Sequence, residues 1–477
     1  MNDSPPGTPP DINSIITQVV VKLVPYYTEK AGEAIASTFR RIMSGKQSAR
    51  RSRFEQGLRA YHGEAYGEAA RLLTAGLSTT RDVRERLAVS LLLSMCLFVN
   101  GSWRDSLSML RRIEKRSRDE GFTEFRLAAL FMGSSVNLKL GRLDDAELWI
   151  QEAQEVSLIE RSDHGLMLVK QRRGLVGRDR GDYSAAERLV NEALEAAKAL
   201  DDLPCQAMLL DNLGGIYWRR HLFEKAAEHI SSSLAIERRL NHLGGQVDAL
   251  ANLGLVSIAL EKWDEAETAL NEALDLDRAL GNTLGEAIVL ANLAEVYTAT
   301  GRYDDAESRL MQALDILRER PSPLHEGTIM RCIGNLELER GDSRAAINNY
   351  QAAADILRKS GDKFEEGRAQ LSLGLEQGRA GDSVGAWEAF QRYLVLSEEL
   401  GDWEGTAAAL NYLGRIAAHG HNFHQAKDLL LESIRTYQEH GAEDDQQRVM
   451  SELMPVTLQL DAMGELDVEP LPADPLG

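Results

Sequence analysis

The sequence predicts an all-α protein built as a stacked array of helical hairpins, and three observations carry that prediction. Nearly the same phrase stands twice, forty residues apart, as ANLGLVSIALEKWDEAETALNEAL at 251–274 and ANLAEVYTATGRYDDAESRLMQAL at 291–314. Within each phrase apolar residues recur at spacings of three and four, the period of a helix buried on one face. Glycine, asparagine and aspartate punctuate the apolar runs at the same interval, and these residues accept the left-handed conformation that closes a helix.

The period runs through most of the chain. Small residues stand at Gly57, Ser94, Ser134, Gly174, Gly214, Gly254, Ala294, Gly334, Gly374 and Gly414, the first step being 37 residues and the others 40. Twelve residues after each come Ala69, Ser106, Ala146, Ala186, Ala226, Ala266, Ala306, Ala346, Ala386 and Ala426. Nine alanines and a serine at ten spaced positions are more than composition supplies, so residues 48–442 read as about ten repeats. Leu210, Leu213 and Tyr217 surround one small residue, and Tyr303, Ala306, Leu310 and Leu314 continue the pattern past a turn. Each repeat is therefore two helices, whose small residues let the pair approach closely.

The turns follow the same register. Gly101, Gly141, Gly181, Gly301, Gly341 and Gly381 fall between the two helices of a repeat. Gly121, Arg161, Asp201, Asn241, Gly281, Pro321, Gly361, Gly401 and Gly441 fall between repeats. Arg161 breaks the turn chemistry. Pro321, inside RERPSPLHEG, ends its helix because proline cannot continue one, and marks the expected irregularity or joint of the array.

Composition sets the bounds. A chain of 477 residues with 43% apolar residues, 6% aromatics and 12 prolines has the make-up of a helical protein with a long core. Cys96, Cys205 and Cys332 lie more than a hundred residues apart and form neither a metal-ligand spacing nor an even disulfide set, so buried thiols are expected. The net charge is −20, yet residues 1–240 carry 35 basic and 32 acidic side chains, so the whole surplus lies beyond them. That acidic half disfavours nucleic acid and would draw a basic protein or peptide. The start, MNDSPPGTPPD, lacks the basic opening of a signal peptide. Ile12–Val24 is too short and interrupted to span a bilayer. A cytoplasmic location is the expectation.

A small residue, an aromatic three later, a turn glycine, an aromatic two beyond it and an alanine three beyond that resemble the tetratricopeptide repeat. The forty-residue length is similar to the subclass in kinesin light chains and spindle-orientation adaptors, and to helical sensor regions of bacterial regulators. The resemblance implies a right-handed superhelical solenoid in which the first helix of each repeat lines a concave groove. It also implies a protein-interaction scaffold or adaptor, a non-enzyme that holds a peptide or protein segment in that groove.

On that reading Asn212, Asn252 and Asn292 stand on the groove wall in three successive repeats, with Arg172 one repeat earlier. A carboxamide offers donor and acceptor together, which suits an extended peptide backbone. The alternative is that these asparagines are consensus residues that bridge adjacent helices or hold water. Arg219, Glu295, Arg331, Asn335, Arg368, Arg379, Asn411 and Arg415 are expected to face the same groove, where the arginines would meet a carboxylate.

The ends complete the plan. Residues 1–11 are expected to be disordered, and 12–47 to form an N-terminal helical hairpin. There Ile12, Ile15, Ile16, Val19, Val20 and Leu23 make one apolar stripe, and Ala31, Ile35, Phe39 and Ile42 another. A basic run, Arg40, Arg41, Lys46, Arg50, Arg51 and Arg53, follows. Three roles fit this segment: a cap on the array, self-association through residues 12–43, or attachment to an anionic membrane surface. A capping helix is expected over 443–463, with Val449, Leu453, Leu460 and Met463 inward, and an acidic disordered tail over 464–477. A regulatory sensor, whose solenoid changes shape on binding and signals through the hairpin, is the second functional reading. A membrane-surface adaptor is the third.

No catalytic motif and no cofactor is read from the chain. His419, His421 and His424 in AHGHNFH fall at a turn whose spacing enforces no coordination geometry, so no metal site is assigned.

Overall fold

The computed structural model describes residues 11–21, 29–44, 48–62, 65–319 and 321–463. Leu23, Lys46 and, of the expected disordered ends, residues 1–10 and 464–477 lie outside these residues, as do the side chains of Val20 and Ala31. Every regular element among the described residues is an α-helix. Two N-terminal helices come first, α1 (Ile12–Val21) and α2 (Glu29–Ser44). The repeats then run, first helix and second helix in turn, through α3 (Ala49–His62), α4 (Tyr66–Leu77), α5 (Val83–Val99), α6 (Trp103–Glu120), α7 (Thr123–Lys139), α8 (Leu143–Ile159), α9 (Asp163–Asp179) and α10 (Tyr183–Ala199). They continue through α11 (Leu203–Arg219), α12 (Phe223–Arg239), α13 (Leu243–Ala259), α14 (Trp263–Leu280), α15 (Thr283–Ala299), α16 (Tyr303–Glu319), α17 (Pro323–Glu339) and α18 (Ser343–Ser360). The last elements are α19 (Lys363–Arg379), α20 (Ser383–Leu400), α21 (Trp403–His419), α22 (Phe423–Glu439) and α23 (Glu443–Ala462). The chain forms two compact units, Met1–Asp342 with Ile356–Asp362, and Ser343–Asp355 with Lys363–Gly477.

Turn geometry explains the boundaries. All the inter-repeat positions from Gly121 to Gly441 except Pro321 have positive φ, Arg161 at 51° among them. Arg161 therefore adopts the glycine conformation without being glycine. His221, Glu261 and His421, which take the place of the intra-repeat glycine, do the same at 53°, 56° and 61°. Helix starts are capped from the side: Asp182, Asp202, Asn282, Asp382 and Asp402 each accept the backbone N–H three residues on. At the Pro321 junction α16 ends at Glu319 and α17 restarts at Pro323. Here α17 leans on α15 as well as on α16. The irregularity expected there is present, while the division into two units falls later, in α18.

The packing seam is the pair of small-residue rows. Ala69 and its nine counterparts, Ser106 included, are all 0% exposed. Facing them, a Cβ on Gly214 would collide with Ile230 Cγ1, and one on Gly254 would sit 2.5 Å from Leu270 Cγ. Gly174 meets Val190, Gly374 meets Phe390 and Gly414 meets Leu430 in the same way, always sixteen residues on. The absent side chain of the first helix is the space that the large residue of the second helix fills. Ser106, the one serine of its row, is satisfied by donating to the Ser94 carbonyl at 2.8 Å. Cys96, Cys205 and Cys332 form no disulfide and are buried.

Within the first unit, α5 touches α7, α7 touches α9, α9 touches α11, α13 touches α15 and α15 touches α17. No contact of comparable extent joins successive second helices among the described residues. The first helices therefore lie on the inner side of the local bend. Neighbouring repeats are also tied by a recurring carboxylate. Glu187 accepts from Tyr217 at 2.8 Å and Arg220 at 2.6 Å, and Glu267 accepts from Tyr297 at 3.0 Å and from Arg302.

The N-terminal helices do more than cap an end. Ile15, Ile16 and Val19 of α1 are each 1% exposed, and Ile35, Phe39 and Ile42 of α2 are also buried. α1 packs on α2 and α3, while α2 lies against α3, α5 and α7. The basic run fastens this arrangement: Arg41 pairs with Asp82 at 3.1 Å and Arg50 with Glu85 at 3.0 Å. Ile15, Ile16 and Val19 of the apolar stripe are thus covered within the chain. In the second unit α23 seals the array with Val449, Leu453, Val456 and Leu460, whereas Met463 stays 55% exposed, outside the packed face.

Adjacent glycines in α11 test the seam. Gly214→Ala is expected to destabilise the protein by about 1–3 kcal/mol through overpacking. Gly215, where a Cβ would have only Arg178 Nη1 within 4 Å, at 3.8 Å, should accept alanine with a gain of up to about 1 kcal/mol. Chemical denaturation followed by circular dichroism reads both; equal effects would contradict the seam.

Candidate functional site

The inner face of the first helices divides in two within the first unit. Over α5 and α7 it is occupied by α2. Where α2 meets them, a cavity of about 510 Å³ is lined by Glu33, Ala34 and Ser37 of α2 together with Arg84, Glu124 and Leu127 and, from the α8–α9 turn, Glu160 and Ser162. Arg84 pairs with Glu124 beside it. From α9 to α17 α2 makes no comparable contact among the described residues, and Arg172, Asn212, Arg219, Asn252, Asn292, Glu295, Arg331 and Asn335 lie on these first helices, whereas Arg368, Arg379, Asn411 and Arg415 belong to the second unit.

Asn212, Asn252 and Asn292 stand at equivalent positions on α11, α13 and α15, all half-buried. Their environments differ. Asn252 Nδ2 donates to Asp211 Oδ1 on the preceding first helix at 2.8 Å. It thus bridges adjacent repeats, as the alternative reading of the asparagines expects. Asn212 Nδ2 is buried without a hydrogen-bond partner. The remaining candidates sort by depth. Arg172, Arg331 and Asn411 are buried, at 4%, 5% and 5% exposure, whereas Arg219, Glu295 and Asn335 are half-buried. In the second unit Arg368, Arg379 and Arg415 are exposed, and each has a carboxylate: Glu365 at 3.1 Å, Glu376 at 3.4 Å and Glu452 at 3.8 Å. These arginines answer acids of the chain's own surface, so any ligand carboxylate must compete with them.

Asp211 was not singled out by the sequence reading, although it changes the chemistry of the row. Its counterparts in the next two repeats are Ala251 and Ala291, so the substitution of an acid for alanine was the available signal. Burial raises its carboxyl above the ordinary carboxylate range, against the opposing pull of the Asn252 hydrogen bond and the Arg178 charge. Arg178 itself pairs with Asp179 at 2.7 Å. An acid, an amide and a guanidinium thus come together from α11, α13 and α9. His421 stacks edge-on to Phe423 at the α21–α22 turn.

These features define an all-α repeat protein of paired helices with a polar inner face. The sequence profile of the tetratricopeptide repeat matches residues 166–239 and 246–319, two blocks of helix pairs that coincide with α9–α12 and α13–α16. Over these two blocks the chain is built of tetratricopeptide repeats. Among solved structures it is similar to BtubC (BKLC) from P. vanneervenii, at 22% identity over 46% of this chain and 90% of that one, with a TM-score of 0.39. It is also similar to a Rap protein complexed with competence and sporulation factor, at 15% identity over 79% and 99% of the two chains, TM-score 0.42. Yeast Tom70 shares 13% identity over 86% and 96%, TM-score 0.43. No curated protein matches the chain. No described helix is long and apolar enough to cross a membrane.

The raised carboxyl of Asp211 has a pH consequence. A folded-state pKa above the unfolded one means that the folded chain holds the proton more tightly. Its contribution to stability is therefore greatest below about pH 4, the ordinary carboxylate value, and falls as pH rises through the raised one. Asp211→Asn removes that fall, so the variant should gain on the wild type between about pH 4 and neutrality. Urea midpoints measured across that range check it, and parallel curves would contradict it.

Proposed function

We propose that the protein is a non-enzymatic interaction scaffold that holds a peptide or helical segment of a partner on the inner face of its first helices in the first unit, from α9 to α17. The tetratricopeptide-repeat fold is an interaction scaffold in general, and one observation carries the finer reading. The chain already seats a helix of its own, α2, on the same face of α5 and α7, so the face accepts a helical segment. Beyond α7 the half-buried Asn212, Asn252 and Asn292 offer amides along it. Asn252 is engaged with Asp211, whereas Asn212 Nδ2 has no hydrogen-bond partner. Arg219, Glu295 and Asn335 would add contacts to side chains, and the charge surplus beyond residue 240 favours a basic partner.

A second reading is a sensor, supported by the position of α2. A ligand that spread onto α5 and α7 would compete with α2 and so be reported by the N-terminal helices. Protection of residues 29–44 from proteolysis would then fall when the partner binds, whereas a rigid scaffold would keep it.

Affinity capture from native lysate, comparing the wild type with Asn212→Ala/Asn252→Ala/Asn292→Ala, tests the primary reading. Partners captured by the wild type should be lost from the variant while its circular dichroism is unchanged. Identical captured sets would remove this face as the binding site.

A further inference from the structure

At the place where α9 and α11 begin side by side, three side chains with different ligand atoms converge. His164 comes from the first turn of α9, Asp202 is the residue that caps α11, and Cys205 follows in the first turn of α11. One ring nitrogen, one carboxylate oxygen and the sulfur lie within 4.8 Å of one another. Cys205 Sγ is 3.8 Å from His164 Nε2, and His164 Nδ1 is 3.5 Å from Asp202 Oδ2. Around a tetrahedral zinc-class ion, bonds of about 2.0–2.3 Å set ligand atoms about 3.5 Å apart. These two contacts use opposite nitrogens of the ring, so a common centre takes one nitrogen with the sulfur and a carboxylate oxygen, all within 4.8 Å of one another, and needs a rotation of the imidazole to aim that nitrogen at it.

Asp202 divides its two oxygens. Oδ1 accepts the Cys205 N–H at 3.0 Å as the helix cap, and Oδ2 faces His164. The site also departs from its counterparts. One and two repeats later, Glu237 on the preceding second helix meets His242 at 2.7 Å, and Asp277 meets Asn282 at 2.7 Å. In this repeat that acid is replaced by Ala197, and the position of Cys205 is glycine in the neighbours, at Gly165, Gly245 and Gly285. The polar lock of the other turns is here exchanged for imidazole and thiol.

We propose that His164, Asp202 and Cys205 bind a thiophilic divalent cation of the zinc class, fastening the repeat that begins at α9 to the one that begins at α11. Imidazole, carboxylate and thiolate are the donors such a borderline-soft ion prefers. A neutral imidazole with carboxylate and thiolate balances its two charges. His164 and Asp202 are each 18% exposed at the side chain, which leaves a solvent side for a fourth ligand, while Cys205 is 1% exposed and closes the inner side. Burial, and then Asp202, push the free thiol upward, so the cation must displace its proton. The S–H bond breaks, the S–metal bond forms, and one proton leaves to solvent for each ion bound.

The full chain, stripped of metal with a chelator, is titrated with Co²⁺. A thiolate-to-cobalt band in the near ultraviolet, together with tetrahedral visible bands, should saturate at one equivalent, and Zn²⁺ should bleach both. Cys205→Ser should lose the near-ultraviolet band. Asp202→Asn keeps an oxygen for the helix cap, so it should melt like the wild type without metal and bind Co²⁺ at least about tenfold more weakly. A wild type without the near-ultraviolet band, a band that survives in Cys205→Ser, or unaltered Co²⁺ affinity in Asp202→Asn would each overturn the site.

Discussion

The structure depends on one contact, the meeting of a residue with little or no side chain on each first helix with a large apolar side chain on the second. Gly214 against Ile230, Gly254 against Leu270 and Gly414 against Leu430 are three copies of it. With the backbones this close, dispersion contacts are dense and no room is left for a different register. The forty-residue period follows, because each hairpin must present the same seam and equal helix lengths to pack on its neighbour. The polar ties between repeats, Glu187 with Tyr217 and Glu267 with Tyr297, only fix what the seam has already brought together.

The same constraint shapes the working surface. First helices draw near one another on the inside of the bend in the first unit, so their remaining face is shared by several repeats and can follow a linear segment. The chain uses part of that face itself, through α2. What is left is polar and mixed in charge. Asp211 is one of its members, a carboxyl raised by burial and held by Asn252 across the repeat boundary.

The repeat architecture was legible in the sequence because a helix pair needs its small residues at fixed spacing. Even the unexplained Arg161 falls into line: the chain requires a left-handed residue at that turn, and φ is 51° there whether or not the side chain suits it. Depth was not legible. Helical periodicity assigns Arg172, Arg331 and Asn411 to the inner face. Whether they stand open or buried depends on the side chains of adjoining helices, forty residues away. The role of α2 was hidden for a similar reason, since its apolar stripe states that it must be covered but not by which helices. The cluster at His164, Asp202 and Cys205 escaped a search for short ligand spacings because the solenoid turns a separation of about one repeat into contact.

The central claim concerns the seam itself, and a double-mutant cycle addresses it most directly. Gly214→Ala is combined with Ile230→Ala, which removes the branch that the new Cβ would strike. If the seam governs the packing, the pair should cost less than the sum of the single variants, with a coupling of at least about 1 kcal/mol. Additivity to within about 0.5 kcal/mol would show that the two helices tolerate a wider approach, and would contradict the account.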